Sequence, residues 1–255
     1  MYFTLAAALL SLGLFVAMLV VHELGRRLRL RHLARGWEGE VSGAGLVEGA
    51  VFALLGLLLA FTFAGAASRF DERRKLIVDE ANAIGTAYLR LDLLAPAARD
   101  ELRSRFRDYL DSRLRVYRAL PDLQAAETEL TRSAQLQQQI WSRAVTAASG
   151  VQPATMLLLP ALNEMFDITT TRTMAARTHP PFVVFAMLGA LCMLGAFIVG
   201  YAMGAPKRTW VHVVTFAATL AAAFYMIIDL EFPRLGLIKV DDFDQVLVDL
   251  RQSMR

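Results

Sequence analysis

Cysteine is almost absent from the sequence, since Cys192 is the only one among 255 residues. A single cysteine cannot form a disulfide within the chain, so no disulfide framework supports the fold and the redox compartment stays open. Cys192 lies inside a long apolar run, where we interpret it as a small packing residue.

Catalytic motifs are also missing. The sequence contains no H-E-x-x-H, no G-x-S-x-G and no G-x-x-x-x-G-K-[ST] pattern. The histidines are scattered and lie near the ends of apolar runs, which favours interfacial anchoring over metal binding; they are His22, His32, His179 and His212. We therefore expect no enzyme activity, no catalytic residue, no bound metal and no cofactor.

The sequence also has little excess of one sign of charge. The chain has 27 Lys and Arg against 24 Asp and Glu, a formal net charge of +3. This excess is too small to indicate a nucleic-acid-binding protein, so nucleic acid is not an expected partner.

Long apolar runs are what the sequence has in excess, and 56% of its residues are hydrophobic. Four runs, at residues 3–21, 45–67, 181–203 and 210–228, are each long enough to cross a bilayer, which takes about 20 residues. They predict an all-α integral membrane protein with four transmembrane helices in two pairs, flanking a helical soluble segment. The predicted divisions are residues 1–68 and 181–231 for the two helix pairs, 69–180 for an extramembrane helical bundle that continues from helix 2, and 232–255 for a C-terminal tail.

Basic residues near the spans predict the membrane orientation. The loop after the first span carries Arg26, Arg27, Arg29, Arg31 and Arg35, and the last loop between spans carries Lys207 and Arg208. The positive-inside rule places these loops in the cytoplasm and the 69–180 segment outside it, in a multi-pass protein of the inner (plasma) membrane. Four basic residues just after the second span oppose this placement: Arg69, Arg73, Arg74 and Lys75.

Small residues follow one side of the second span. Gly45 and Gly49 form a G-x-x-x-G pair, and Ala53, Gly56, Ala60 and Ala64 extend it. Such residues let helix backbones approach closely in lipid. The pattern fits ordinary packing within one chain, or packing around a central axis in a homo-oligomer.

A second face of the same helix resembles a pore lining with a hydrophobic constriction. Steps of 3.6 residues from the acidic end give Glu48, Phe52, Leu55, Leu59, Thr62 and Ala66. We predict this face as the candidate pore surface; a buried helix with polar ends would show the same pattern.

Glu80 is the most unusual charged residue, because it falls within an apolar stripe that includes Ile77 and Ile84. A charge on such a face needs a partner. We predict a salt bridge or hydrogen bond to an arginine of another helix, such as Arg113, Arg172 or Arg177.

Residues 45–94 also resemble a known family. The elements L-L-A-F-T-F, R-F-D-x-R-R and E-A-N-A-I-G-T-A-Y-L-R are similar to those of the bacterial bestrophin-like membrane proteins, a family of unknown function. The D-L-x-x-P-x-x-G pattern before the C-terminal tail matches as well. The positions that carry the resemblance are Glu48, Gly49, Phe61, Arg69, Arg73, Arg74, Glu80, Asn82, Arg90, Asp229, Pro233, Arg234 and Gly236.

This resemblance implies a relation to bestrophins, which are pentameric, anion-selective channels whose second span lines the pore. It also implies a cytoplasmic helical region and cytoplasmic termini, the reverse of the charge-based orientation. Glu48 and Glu80, if they faced the pore, would favour cations.

Two functional hypotheses follow. The first is an oligomeric ion channel lined by transmembrane helix 2, with the lipid bilayer, further copies of the chain and inorganic ions as partners. The alternative is a membrane-anchored sensing or partner-docking protein without conductance, in which the long second helix transmits a displacement.

Overall fold

The computed structural model describes residues 2–36, 44–203 and 210–254, and within these ranges the regular structure is entirely helical. The loop that carries Lys207 and Arg208 lies outside the described residues. The helices are α1 (Tyr2–Ala34), α2 (Ala44–Arg90), α3 (Pro96–Ala119), α4 (Leu123–Ala148), α5 (Gln152–Arg177), α6 (Phe182–Ala202), α7 (Trp210–Glu231) and α8 (Gln245–Ser253). The predicted all-α class is confirmed. Among the described residues, four helices are long and apolar enough to cross a membrane, as predicted.

The chain divides into two compact units. The membrane unit comprises Met1–Ser68 and His179–Phe232, and the bundle unit comprises Arg69–Thr178 and Pro233–Arg255. Helix α2 contributes its first half to the membrane unit and its second half to the bundle unit. At 1.5 Å per residue, this single helix of 47 residues is about 70 Å long.

In the membrane unit, α1 packs closely against α6 and α7. Two glycines make the approach of α1 and α6 possible. A Cβ atom added to Gly25 would overlap the carbonyl oxygen of Phe197, and one added to Gly200 would overlap the carbonyl oxygen of His22. The two backbones therefore meet where neither helix carries a side chain, which is how small residues join helices in lipid.

In the bundle unit, the second half of α2 packs with α3, α4 and α5 around an apolar core. Ile84, Leu91, Phe106, Leu110 and Leu158 are fully buried in this core. Local signals set the helix starts, since a proline lies in the first turn of α3 and Asp122 caps α4. The Asp122 carboxylate accepts hydrogen bonds from the backbone N–H groups of Gln124 (3.1 Å) and Ala125 (3.0 Å).

The C-terminal segment, which the sequence analysis treated as a tail, folds onto the bundle. It contains a 3-10 turn at Asp241–Asp244, followed by α8. Leu247 of α8 is fully buried, and Arg251 makes a two-pronged salt bridge to Asp111 of α3, with distances of 2.8 and 3.0 Å. Burial and bidentate pairing hold these last residues in place.

Candidate functional site

The small residues of α2 lie on an open surface of the membrane unit. We call Gly45, Gly49, Ala53, Gly56, Ala60 and Ala64 the small-residue strip, and each of them is exposed. An added Cβ atom at Gly45, Gly49 or Gly56 would meet nothing within 4 Å. The protomer therefore does not use this strip for packing between its own described helices.

The predicted pore face of α2 turns inward instead. Leu55, Thr62 and Ala66 are 3%, 6% and 0% exposed. The Phe52 ring meets Phe216 of α7 edge-on, with centroids 6.1 Å apart. A Cβ atom added to Gly195 of α6 would lie 3.2 Å from Phe52 and 3.6 Å from Leu55.

Part of the predicted pore face is therefore packed inside the protomer, and its role as a pore lining stays a prediction. Glu48 and Leu59, on the same side, are half-buried. The Thr62 hydroxyl donates to the Leu58 carbonyl oxygen at 2.6 Å, so its polar group is satisfied within the helix. Leu55, Thr62 and Ala66 face the protomer's own interior. The sequence does not show this, because both sides of α2 are apolar and helical periodicity does not tell an inner side from an outer one.

A bulky apolar edge runs beside the small-residue strip. Leu57 and Phe61 are 52% and 69% exposed, and with Ala53 they follow each other at four-residue spacing on one side of the helix. The pore face predicted from the sequence does not include this edge, and only the family resemblance picks out Phe61. The four-residue spacing next to the small residues was the signal that could have identified it.

In the bundle unit, Glu80 forms the centre of a buried ionic cluster. Arg113 of α3 donates its Nε–H to Glu80 Oε1 at 2.6 Å, and Arg172 of α5 donates from Nη1 to Glu80 Oε2. The hydroxyl of Tyr117 donates to Oε2 at 3.3 Å. The predicted contact to an arginine of another helix is present twice, with Arg113 and Arg172.

The C-terminal segment joins this cluster through Asp244. Arg172 donates its second amino group, Nη2, to Asp244 at 3.0 Å, and Arg234 donates to the two Asp244 oxygens at 2.9 and 2.7 Å. The guanidinium groups of Arg172 and Arg234 also lie 3.8 and 4.5 Å from the ring centre of Tyr117, within cation–π range.

The cluster perturbs the protonation of its members. Burial alone would raise the pKa of Glu80, but the charges of Arg113 and Arg172 outweigh burial and hold the pKa at about 2. Burial raises the pKa of the Tyr117 hydroxyl to about 12. Glu80 is therefore a paired carboxylate at neutral pH, and its charge is compensated within the bundle.

Glu80 consequently does not line an open surface. Its side chain is completely buried, and both of its oxygens accept hydrogen bonds from arginines. The expectation that Glu80 could attract cations from a pore applied only if it faced one, and the structure places it in the core of the bundle. The cluster is suited to fixing α2 against α3, α5 and the C-terminal segment.

Other family-type arginines bind backbone or aromatic groups within the bundle unit. Arg73 donates to the carbonyl oxygens of Ala175 (3.1 Å) and Thr178 (2.9 Å), where α5 ends. This contact satisfies acceptors that a helix C-terminus leaves free. Arg74 lies 4.2 Å from the ring centre of Phe243, and Arg90 donates to the Leu157 carbonyl oxygen at 2.7 Å.

The remaining family-type positions differ in exposure. Pro233 and Gly236 are buried at the start of the C-terminal segment, and Asp229 is buried at the end of α7. Asn82 is exposed and Arg69 is half-buried. Among the described residues, no group of three or more His, Cys, Asp or Glu is arranged to hold a metal ion.

Comparison with solved structures finds the same fold. Two crystal structures of a bacterial bestrophin homolog from Klebsiella pneumoniae match with TM-scores of 0.66 and 0.64 at 15% and 16% identity. The matches cover 95% and 93% of this chain and 98% of each matched chain. A crystal structure described as a membrane protein matches with a TM-score of 0.63 at 17% identity, covering 92% of this chain and 95% of the other. At this identity the likeness shows the fold alone.

Comparison with family models and with curated sequences gives two different results. No curated protein matches the sequence. The model of the bestrophin-like domain, in contrast, matches residues 6–242, nearly the whole chain. Together with the four apolar helices, this match shows a multi-pass membrane protein, and the chain belongs to the bestrophin-like family.

Proposed function

We propose that the protein is a homo-oligomeric ion channel whose pore is lined by the exposed side of α2. The observation that carries the proposal is that this side, from Gly45 to Ala64, is open to its surroundings within the protomer and consists of small and apolar residues. It contains no charged side chain, so it suits either lipid or a further protein surface.

The small residues favour a protein surface over lipid. Lipid chains solvate large apolar side chains as well as small ones, so contact with lipid gives no reason for glycine and alanine to follow one side of a helix. Close approach of two backbones does give such a reason. Within this chain, glycines allow the same close backbone approach between α1 and α6, at Gly25 and Gly200.

The bulky edge next to the strip suits a pore constriction. When the small-residue strips of neighbouring copies pack together, Leu57 and Phe61 lie beside that contact and point towards the axis of the ring. A ring of such side chains forms a narrow apolar passage, which gates ion flow by excluding water. Half-buried Glu48 lies near the start of α2 and is the only charged residue of that helix on the N-terminal side of this passage.

Planar-bilayer recording of the purified full-length protein tests the proposal directly. We expect discrete current steps in symmetrical salt solutions. Chemical crosslinking in the same preparation should give a ladder of chain multiples that ends at one size. Silence across salts, voltages, pH values and calcium concentrations, from a preparation shown to be oligomeric, would overturn the proposal.

The alternative function, a sensing or docking protein without conductance, draws on the length of α2. A continuous helix from Ala44 to Arg90 is a physical route for a displacement. Specific crosslinking to one partner protein, combined with silent bilayers, is the outcome that selects this alternative. Among the residues that the structure describes, no feature supports an enzymatic role.

Cysteine labelling in intact cells tests on which side of the membrane the bundle unit lies. The charge count predicts an extracytoplasmic bundle and the family resemblance a cytoplasmic one. A cysteine at the exposed position Gln135, in a Cys192→Ala background, reacts with a membrane-impermeant reagent only in the first case. A cysteine at exposed Arg35, near the end of α1, is the matched probe because the charge count places it on the opposite side.

A further inference from the structure

The C-terminal part of α1 carries a row of arginines that continues its exposed apolar face. Val16, Val20 and Leu24 are exposed along this helix, and Arg27 and Arg31 follow within the same sector of the helix surface. At 100° per residue, all five positions lie within about one third of the circumference. An apolar surface that suits lipid chains therefore runs directly into positive charge.

Aromatic residues indicate the depth at which this change occurs. Tyr201, near the end of α6, bonds through its hydroxyl to Nδ1 of His32 at 3.0 Å, and Arg29 lies 5.5 Å from the centre of its ring. Trp210, half exposed, begins α7. Tyrosine and tryptophan concentrate at the level of the lipid headgroups, so the arginines at this end of α1 lie in or just beyond the headgroup layer.

Two of these arginines are not compensated by acidic groups in the described part of the chain. Glu23 accepts hydrogen bonds from Arg26 (3.0 Å) and Arg27 (2.8 Å), which uses the only acidic residue of α1. Arg31 and Arg35 are exposed, and among the described residues no carboxylate pairs with either. Arginine stays positively charged in proteins, and its planar fork matches the two oxygens of a phosphate group.

We propose that Arg31 and Arg35, with Arg27 behind them, bind the phosphate groups of anionic phospholipids such as phosphatidylglycerol. Arg27 and Arg31 lie four residues, about 6 Å, apart along α1, which is close to the thickness of one headgroup layer, and Arg35 follows in the turn after the helix. The acyl chains lie along Val20 and Leu24. The site consists of one protomer's residues and does not depend on ion conduction.

The test is lipid titration of the full-length protein in detergent, read by native mass spectrometry. Dioleoyl-phosphatidylglycerol is the probe and dioleoyl-phosphatidylcholine is the neutral comparison. One basic residue near an anionic surface is worth roughly fivefold in binding, so the Arg31→Gln/Arg35→Gln double variant should bind phosphatidylglycerol about 25-fold more weakly. The Arg31→Lys/Arg35→Lys variant, which keeps both charges but loses the planar fork, should bind more tightly than the Gln variant and more weakly than the unaltered chain.

The matched control is the Arg118→Gln/Arg132→Gln variant, which removes two exposed arginines from the bundle unit and should bind as the unaltered chain does. Inorganic phosphate at the same concentration should not displace the lipid, because it offers nothing to the apolar part of the surface. Equal phosphatidylglycerol binding by the unaltered chain and the Arg31→Gln/Arg35→Gln variant would overturn the proposal. So would equal binding of the two lipids, or complete displacement by inorganic phosphate.

Discussion

Glu80 and Arg113 form an ion pair in which both side chains are entirely removed from solvent, with 2.6 Å between Oε1 and Nε. The pair joins α2 to α3, and Arg172 of α5 binds the second Glu80 oxygen, Oε2. Removing one member of such a buried pair strongly destabilises the fold, because the remaining charge is left buried without water or a counter-charge.

Replacing Glu80 should therefore destabilise the bundle. The Glu80→Gln variant keeps the size of the side chain but leaves Arg113 and Arg172 buried without a counter-charge. We expect a loss of about 3–5 kcal/mol in the free energy of unfolding, measured by denaturant or thermal melting in detergent. The control is Glu101→Gln, which removes an exposed partner of Arg105 and Arg143 and should change stability little.

Lowering the pH should destabilise the bundle as the Glu80 carboxylate becomes protonated. The folded pKa of Glu80, about 2, is below its ordinary value of 4.5, so its contribution to stability is present above about pH 4.5. As pH falls from 4.5 towards 2, that contribution of about 3 kcal/mol is lost, because each pKa unit is worth roughly 1.4 kcal/mol. The Glu80→Gln variant should lose less stability than the unaltered chain over this interval; identical acid profiles would contradict the assignment.

The glycine contact between α1 and α6 makes a paired prediction. Gly25→Ala and Gly200→Ala should each lower the melting temperature, because the new methyl group overlaps a backbone carbonyl that cannot move alone. Gly13→Ala in α1 and Gly189→Ala in α6 are the controls, since their added carbons meet nothing within 4 Å. Those controls should be neutral or slightly stabilising, because alanine is the better helix former by about 1 kcal/mol.

The small-residue strip should control assembly. A leucine at Gly49 or Gly56 would hold neighbouring helices apart, so the oligomer should dissociate to smaller species in light scattering or crosslinking. Gly13→Leu, at an exposed glycine of α1, is the matched change outside the strip. Loss of the oligomer in all three variants, or in none, would show that the strip has no special role in assembly.

The sequence predicted the parts of the fold that the solvent dictates. Residues 3–21 and 181–203 had to be membrane helices, because no soluble structure accommodates uncharged runs of that length. The need of Glu80 for a cationic partner followed in the same way from its position on an apolar stripe. The choice of Arg113 and Arg172, and not Arg177, depends on how α3 and α5 pack against α2, which no local pattern encodes.

The pore face shows why the rest could not be predicted. Leu55 and Leu57 are two residues apart on one apolar helix, and by composition either suits a constriction. Leu55 is buried against the protomer's own helices and Leu57 is exposed. Helical periodicity identifies faces but does not rank them, so the packing of the neighbouring helices decided which face remained open.

Single-channel recording of the Phe61→Ala variant decides most directly whether α2 lines the pore, with Phe182→Ala, which removes an exposed ring of α6, as its control. If α2 lines an apolar constriction, removing the exposed ring at position 61 should widen and wet the passage and raise the open probability or conductance severalfold. The Phe182→Ala variant should conduct as the unaltered protein does. Equal currents from all three proteins, or no current from any, would contradict a pore lined by α2.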